Sequence, residues 1–250
     1  MTSAEGAPEQ SLIAHLVELR TRLLRAILVL LGVFLALVPF ANRLYQLLAE
    51  PVLAKLPAGT TMIAVDIATP FITPLKLTFF VALLVTMPWL LYQLWAFIAP
   101  GLYRHEQKLA TPLLASSVLL FYTGCAFAYF LVLPAVFTFL TAVAPQGVAV
   151  MPDINHYLDF VLVLFFAFGV CFEIPVAVVI LVALGVVDVP KLKRARPYVI
   201  VGAFVAGAIL TPPDVISQIL LAIPIWILYE VGILFARSVK PGVKPARADS

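Results

Sequence analysis

Runs poor in charge and rich in apolar side chains fall at about 23–41, 77–99, 110–133, 157–184, 197–211 and 215–236, with short polar segments between them. A helix needs roughly 20 such residues to cross a hydrocarbon layer about 30 Å thick. The runs are apolar on every side, whereas the strands of a membrane barrel alternate apolar and polar positions. The pattern predicts an all-α membrane protein: six transmembrane helices in a cupped bundle forming one polytopic domain over residues 1–250. Residues 1–22 precede the first span as an amphipathic segment, and 237–250 follow the last as a tail. Spans 5 and 6 are expected to be short. The fifth run, 197–211, reaches only about 22 Å as a helix, so its ends must be hidden by neighbours or by local thinning of the bilayer. Gly202 with Ala206, and Ala203 with Gly207, form two small-xxx-small pairs there, the pattern that lets helices approach closely.

Composition agrees with the pattern. Hydrophobic residues make up 63%, charged residues 12%, and mean hydropathy is +1.09, far from the near-even apolar content of soluble domains. The first run lies behind Arg20, Arg22 and Arg25, but it is longer than the apolar stretch of a cleaved leader and no small-residue cleavage site follows it, so it reads as a retained span. Cys125 and Cys171 both fall inside apolar runs and suggest neither a disulfide scaffold nor a metal site. Neither cofactor nor nucleic-acid partner is expected.

Charge sets the orientation. Segments before span 1, after spans 2 and 4, and after span 6 carry 13 of the 16 Lys and Arg residues; the other side holds Arg43, Lys55 and Lys76. By the positive-inside rule both termini are cytoplasmic. Trp89, Tyr92 and Trp95 in span 2 and Trp226 and Tyr229 in span 6 fit an interfacial aromatic belt at that side.

The candidate chemistry is sparse and therefore conspicuous. SLIAHLVELRTRLLRAI has helical period, with Leu12, Leu16, Leu19, Leu23 and Ile27 on one face and Ser11, His15, Glu18, Arg22 and Arg25 on another. Arg22 and Arg25 are expected to set topology and reach headgroups. Glu18 serves neither purpose, because an anionic membrane surface repels it. In the loop FIAPGLYRHEQKLA, Glu106 sits among Arg104, His105 and Lys108. Either it closes an ion pair within the loop, or Glu18 and Glu106 make an acidic spot on a basic face. Such a spot would best receive arginine, whose planar fork bonds a carboxylate twice. In VLVLFFAFGVCFEIPVAVVILVAL, Glu173 is the one charged residue. A carboxylate at mid-membrane costs on the order of 2.5–3.5 kcal/mol, and Pro175 cannot donate to the carbonyl of Cys171. A bent span 4 with Glu173 on its concave side is predicted, there to bond another helix, relay protons or line a polar groove. Thr211 and Gln218 bracket the turn between spans 5 and 6, where Asp214 can cap span 6, and the buried amide of Gln218 calls for a partner inside the bundle or on a second protein.

Five stretches taken together, HLVELRTRLL, ATPFITPLKLTF, QLWAFIAPGLYRHE, FGVCFEIP and LTPPDVISQ, resemble the TatC family, the multispanning subunit of the twin-arginine protein translocase. The resemblance covers nearly the whole chain. It implies a receptor in the bacterial cytoplasmic membrane for the twin-arginine signal peptides of folded precursor proteins. Single-span partners of the TatA and TatB type, self-association, and transport driven by the proton motive force without enzymatic chemistry are implied as well. By the same resemblance Glu18, Arg20, Phe97 and Glu106 belong to the signal-peptide site and Glu173 to the interior of the cupped bundle. Thr211 and Gln218 belong to a patch where a partner helix docks, while Pro51 and Asp214 shape the outer loops. A proton-coupled small-solute carrier using Glu173 is the alternative from another class, but carriers tend to show repeated halves, and the first three spans do not resemble the last three. An intramembrane hydrolase lacks a nucleophile placed beside a base: His15, His105 and His156 all sit at or outside span ends.

Overall fold

The structure, a computed structural model, describes residues 7–53, 63–98, 107–143, 153–210 and 215–238. In chain order the helices are α1 (Ala7–Leu37), α2 (Ala41–Leu53), α3 (Thr69–Ile98), α4 (Gln107–Phe127), α5 (Leu133–Val143), α6 (Ile154–Cys171), α7 (Ile174–Ala183), α8 (Val189–Leu210) and α9 (Val215–Ala236). Spans 1, 2, 5 and 6 correspond to α1, α3, α8 and α9, span 3 to α4 with its continuation toward α5, and span 4 to α6 with α7. Five helical stretches among the described residues are long and apolar enough to cross a membrane. The stretch that does not qualify is α8, which carries Lys191, Lys193, Arg194 and Arg196 in its first turns. The apolar run at 197–211 therefore understates this helix: good helix formers such as Leu, Lys and Arg extend it at the polar end.

Prolines shape the long helices. In α3, Pro88 has no N–H to offer the carbonyl of Leu84. The Tyr122 hydroxyl of α4 donates to that carbonyl instead, at 2.7 Å, so a gap in one helix becomes a bond to its neighbour. Between α4 and α5 a π-helical turn, Ala128–Val132, lies just before Pro134. Gly124 of α4 permits a close approach to α6, since a Cβ there would lie 2.5 Å from the carbonyl oxygen of Phe168. Gly185, with φ of 66°, takes the left-handed turn that ends α7 and leads to α8.

The core is a belt of large side chains in which Phe80 of α3, Val132, Phe165 and Phe168 of α6, and Leu221 and Ile225 of α9 meet. A second cluster of Val178, Val182, Leu192, Tyr229 and Ile233 joins α7, α8 and α9. The first helix, α1, packs chiefly along α3. Two of the predicted belt aromatics turn inward: Trp95 and Tyr229 are buried, and the Tyr229 hydroxyl donates to the carbonyl of Leu192 at 2.8 Å. Only Trp89, Tyr92 and Trp226 keep exposed surface.

One end of the bundle is pinned by polar contacts. Lys76 Nζ donates to Asp159 Oδ1 and Oδ2 at 3.0 Å each and to Asn155 Oδ1 at 2.9 Å, tying α3 to α6. Beside it the Ile154 N–H bonds the carbonyl of Ile63 at 3.0 Å, and Asp153 caps α6 through the N–H groups of Asn155 and His156. Asp153 also receives the N–H of Val65 at 3.1 Å. These backbone donors, His156 first and Val65 next, hold its carboxyl below the usual carboxylate range. From Lys76 to Phe97, α3 rises about 30 Å, one hydrocarbon thickness, so the pinned end and the Phe97 end lie on opposite sides of a membrane.

Candidate functional site

At the Phe97 end, α1 turns its polar stripe toward α3. Glu18, Arg22 and Ala26, spaced by four, are less exposed than their neighbours, while Leu16, Leu19, Leu23 and Leu24 face outward. His15 stacks on Phe97 with ring centroids 4.2 Å apart and planes inclined by 22°. One turn further along, Arg22 donates from Nε at 2.9 Å and Nη2 at 2.6 Å to a single oxygen, Oε1, of Glu18. The pair is part-buried, with 23% of the arginine and 37% of the glutamate side chain exposed. Gln93, one turn before Phe97 on α3, is buried, and its Oε1 has no hydrogen-bond partner among the described residues. Acidic, cationic, aromatic and amide groups thus fall on the stretch where α1 and α3 adjoin, and Glu106 follows α3 by eight residues in the sequence.

Mid-bundle, span 4 is interrupted between α6 and α7. Phe172 and Glu173 separate α6 from α7, both in helical conformation but with tightened hydrogen bonds, Glu173 N–H to the carbonyl of Val170 at 3.0 Å. Pro175 opens α7, where its missing N–H costs nothing. Glu173 Oε2 accepts a hydrogen bond from the Ser117 hydroxyl of α4, whereas Oε1 is buried without a described partner. No cation is paired with it among the described residues. An apolar groove of about 510 Å³, lined by Phe80, Phe166 and Val170, ends at Cys171 two residues away.

The third place is α8 against α9. Gly207 lies under Gln218, 3.1 Å from where a Cβ would stand, and Gln218 Nε2 donates to the carbonyl of Phe204 at 2.7 Å. A Cβ at Gly202 would meet no atom of the described residues within 4 Å beyond its own helix backbone and chain neighbours. Of the two small-residue pairs, one is used inside the bundle and the other has its glycine open. Toward the polar end, Arg196 Nη2 bonds Glu230 Oε2 at 2.6 Å.

The family model described as Sec-independent protein translocase protein (TatC) matches residues 14–224. The chain belongs to the TatC family. It is 55% identical over 241 residues to the Sec-independent protein translocase protein TatC of Azotobacter chroococcum, covering 96% of this chain and 94% of that one. To the protein of the same name from Escherichia coli K12 it is 57% identical over 228 residues, 91% and 88% of the two chains. The crystal structure of a twin arginine translocase receptor, TatC, superposes with a TM-score of 0.79 at 38% identity over 90% of this chain and 98% of that one. A multi-pass membrane subunit of the twin-arginine protein translocase is therefore the frame in which these sites belong.

Within this TatC-family chain the structure brings Glu18 and Phe97 to one end, leaves Arg20 exposed beside them, and keeps Glu173 apart at mid-bundle. Glu106, Thr211 and Asp214 lie outside the described residues, as does the side chain of Pro51 at the end of α2. The Arg22 guanidinium is paired with Glu18. The amphipathic segment and span 1 are one continuous helix of 31 residues. Ser117 and Tyr122 were not singled out in the sequence. The pair Ser116–Ser117 inside an apolar run was the available signal for the first; the second has none short of knowing which helix lies opposite Pro88. Among the described residues no cluster of His, Cys, Asp and Glu could hold a metal.

Proposed function

We propose that this chain is the receptor and core subunit of a twin-arginine translocase in a bacterial cytoplasmic membrane. Its Phe97 end and both termini face the cytoplasm, where Lys and Arg concentrate. Twin-arginine signal peptides of folded precursors bind there, with Glu18 and Glu106 receiving the guanidinium groups and Arg20 and Phe97 completing the site. The apolar part of the signal then enters the cup, where Glu173 is the polar contact. Partners of the TatA and TatB type dock near Thr211 and Gln218, self-association builds the working complex, Pro51 and Asp214 shape the opposite side, and the proton motive force drives transport without an enzymatic step. The observation that carries this reading is the His15–Phe97 stack, which draws the Glu18 turn of α1 to the start of the loop containing Glu106.

The test is a titration of the detergent-purified chain with a signal peptide carrying Arg-Arg and with its Lys-Lys counterpart at fixed salt. Arg-Arg is expected to bind more tightly, because only guanidinium bonds a carboxylate through a planar fork, and Glu106→Ala is expected to weaken it while the chain stays folded. Equal, weak binding of both peptides would overturn the receptor assignment.

A further inference from the structure

The carboxylate proposed to receive a guest arginine already holds one. Arg22 bonds Glu18 through two nitrogens on one oxygen, four residues apart on a helix with the acid on the N-terminal side, the favourable order for such a pair. The pair lies on the α1 face that turns toward α3, one turn from the His15–Phe97 stack. Any guanidinium arriving at Glu18 must displace Arg22 or share its acceptor, and two like charges cannot occupy one contact without cost.

We infer that Arg22 is an internal competitor, a built-in stand-in for the guest's arginine that lowers the receptor's affinity and returns to Glu18 when the guest leaves. This rests on Glu18 being part of the guest site. Its consequence is opposite in sign to a positioning role. Were Arg22 needed to orient Glu18, removing it would weaken binding; as a competitor, its removal tightens binding. The device suits a receptor that must hand its cargo on, because the vacated carboxylate is never left unpaired and release loses less than it otherwise would.

The experiment uses the full chain in detergent at fixed salt and synthetic signal peptides bearing Arg-Arg. Arg22→Gln is expected to tighten binding about two- to fivefold, the upper part of the range measured for ion pairs near the surface. Arg25→Gln makes the same change in net charge without touching Glu18 and is expected to leave affinity unchanged. In a Glu18→Gln background, Arg22→Gln is expected to have no effect. Weaker or unchanged binding by Arg22→Gln overturns the inference, as does equal tightening by Arg25→Gln or an effect that survives loss of Glu18. Should Arg22→Gln fail to fold, judged by helical circular dichroism and gel filtration, Arg22→Lys decides. Its point-charge ammonium competes less well than a guanidinium, so binding tightens by a smaller factor, and no change overturns the inference. Failure of the receptor reading itself is visible separately, in an unsubstituted chain that does not prefer Arg-Arg to Lys-Lys.

Discussion

Glu18 and Glu173 are the same side chain in two solvents. Glu18 stands at the end of the bundle with a guanidinium on one oxygen and water within reach. Glu173 stands at the break in span 4 with a serine hydroxyl on one oxygen and no described partner on the other. At the polar end a charge can be exchanged for another like it, because salt and water share the cost of each intermediate. In the middle, only neutral dipoles are at hand, and each polar atom must find its partner within protein. The first site is therefore suited to recognition by exchange, the second to a fixed contact at the break between α6 and α7.

The largest expected effect that separates them is on peptide binding. Glu18→Ala should weaken the Arg-Arg peptide about tenfold or more, the worth of a charge-assisted bond. Glu173→Ala should weaken the same titration by only about threefold, the worth of one hydrogen bond inside a membrane; an equal loss in both would erase the distinction. Thermal stability should reverse the ranking. Ser117→Ala leaves Glu173 without its described donor and should cost about 1 kcal/mol, read as a drop of about 2–4 °C in the detergent melting temperature, whereas Glu18→Ala should shift it by less. Salt sharpens the contrast further: between 0.1 and 1 M the screening length falls from about 10 to 3 Å, so peptide affinity should decline while the Ser117→Ala effect persists. The smallest effect concerns Asp153 at the pinned end. Its folded carboxyl titrates below the usual range, so its contribution is present above about pH 4 and is lost as pH falls through the lowered value. Faster amide exchange at Val65 in acid, absent in Asp153→Asn, would register it.

Much of this was legible in the sequence, and the reasons differ by residue. Spans 1, 2, 3, 4 and 6 declare themselves because lipid demands apolarity on all sides. The break at Glu173 was signalled by Pro175, which takes the first turn of α7, although Pro88 lies inside an unbroken α3. What apolarity cannot show is where a helix ends in polar ground, and so α8 begins at Val189 rather than near 197. Nor does periodicity alone say which face meets a neighbour. The stripe of His15, Glu18 and Arg22 packs toward α3 while the leucines face outward, the reverse of a soluble helix, because here the outside is the apolar phase. Ser117 and Phe204 became partners of Glu173 and Gln218 only through tertiary placement.

The outward leucines of α1 bear on biosynthesis. This helix leaves the ribosome before α3 exists, and its most apolar stretch stays unburied even in the finished bundle. A segment already at home among acyl chains can reside in the bilayer alone for as long as the rest of the chain takes to arrive. Joining α3 then requires only the alignment of one polar stripe, so α1 can wait as an anchor until the seam along α3 forms.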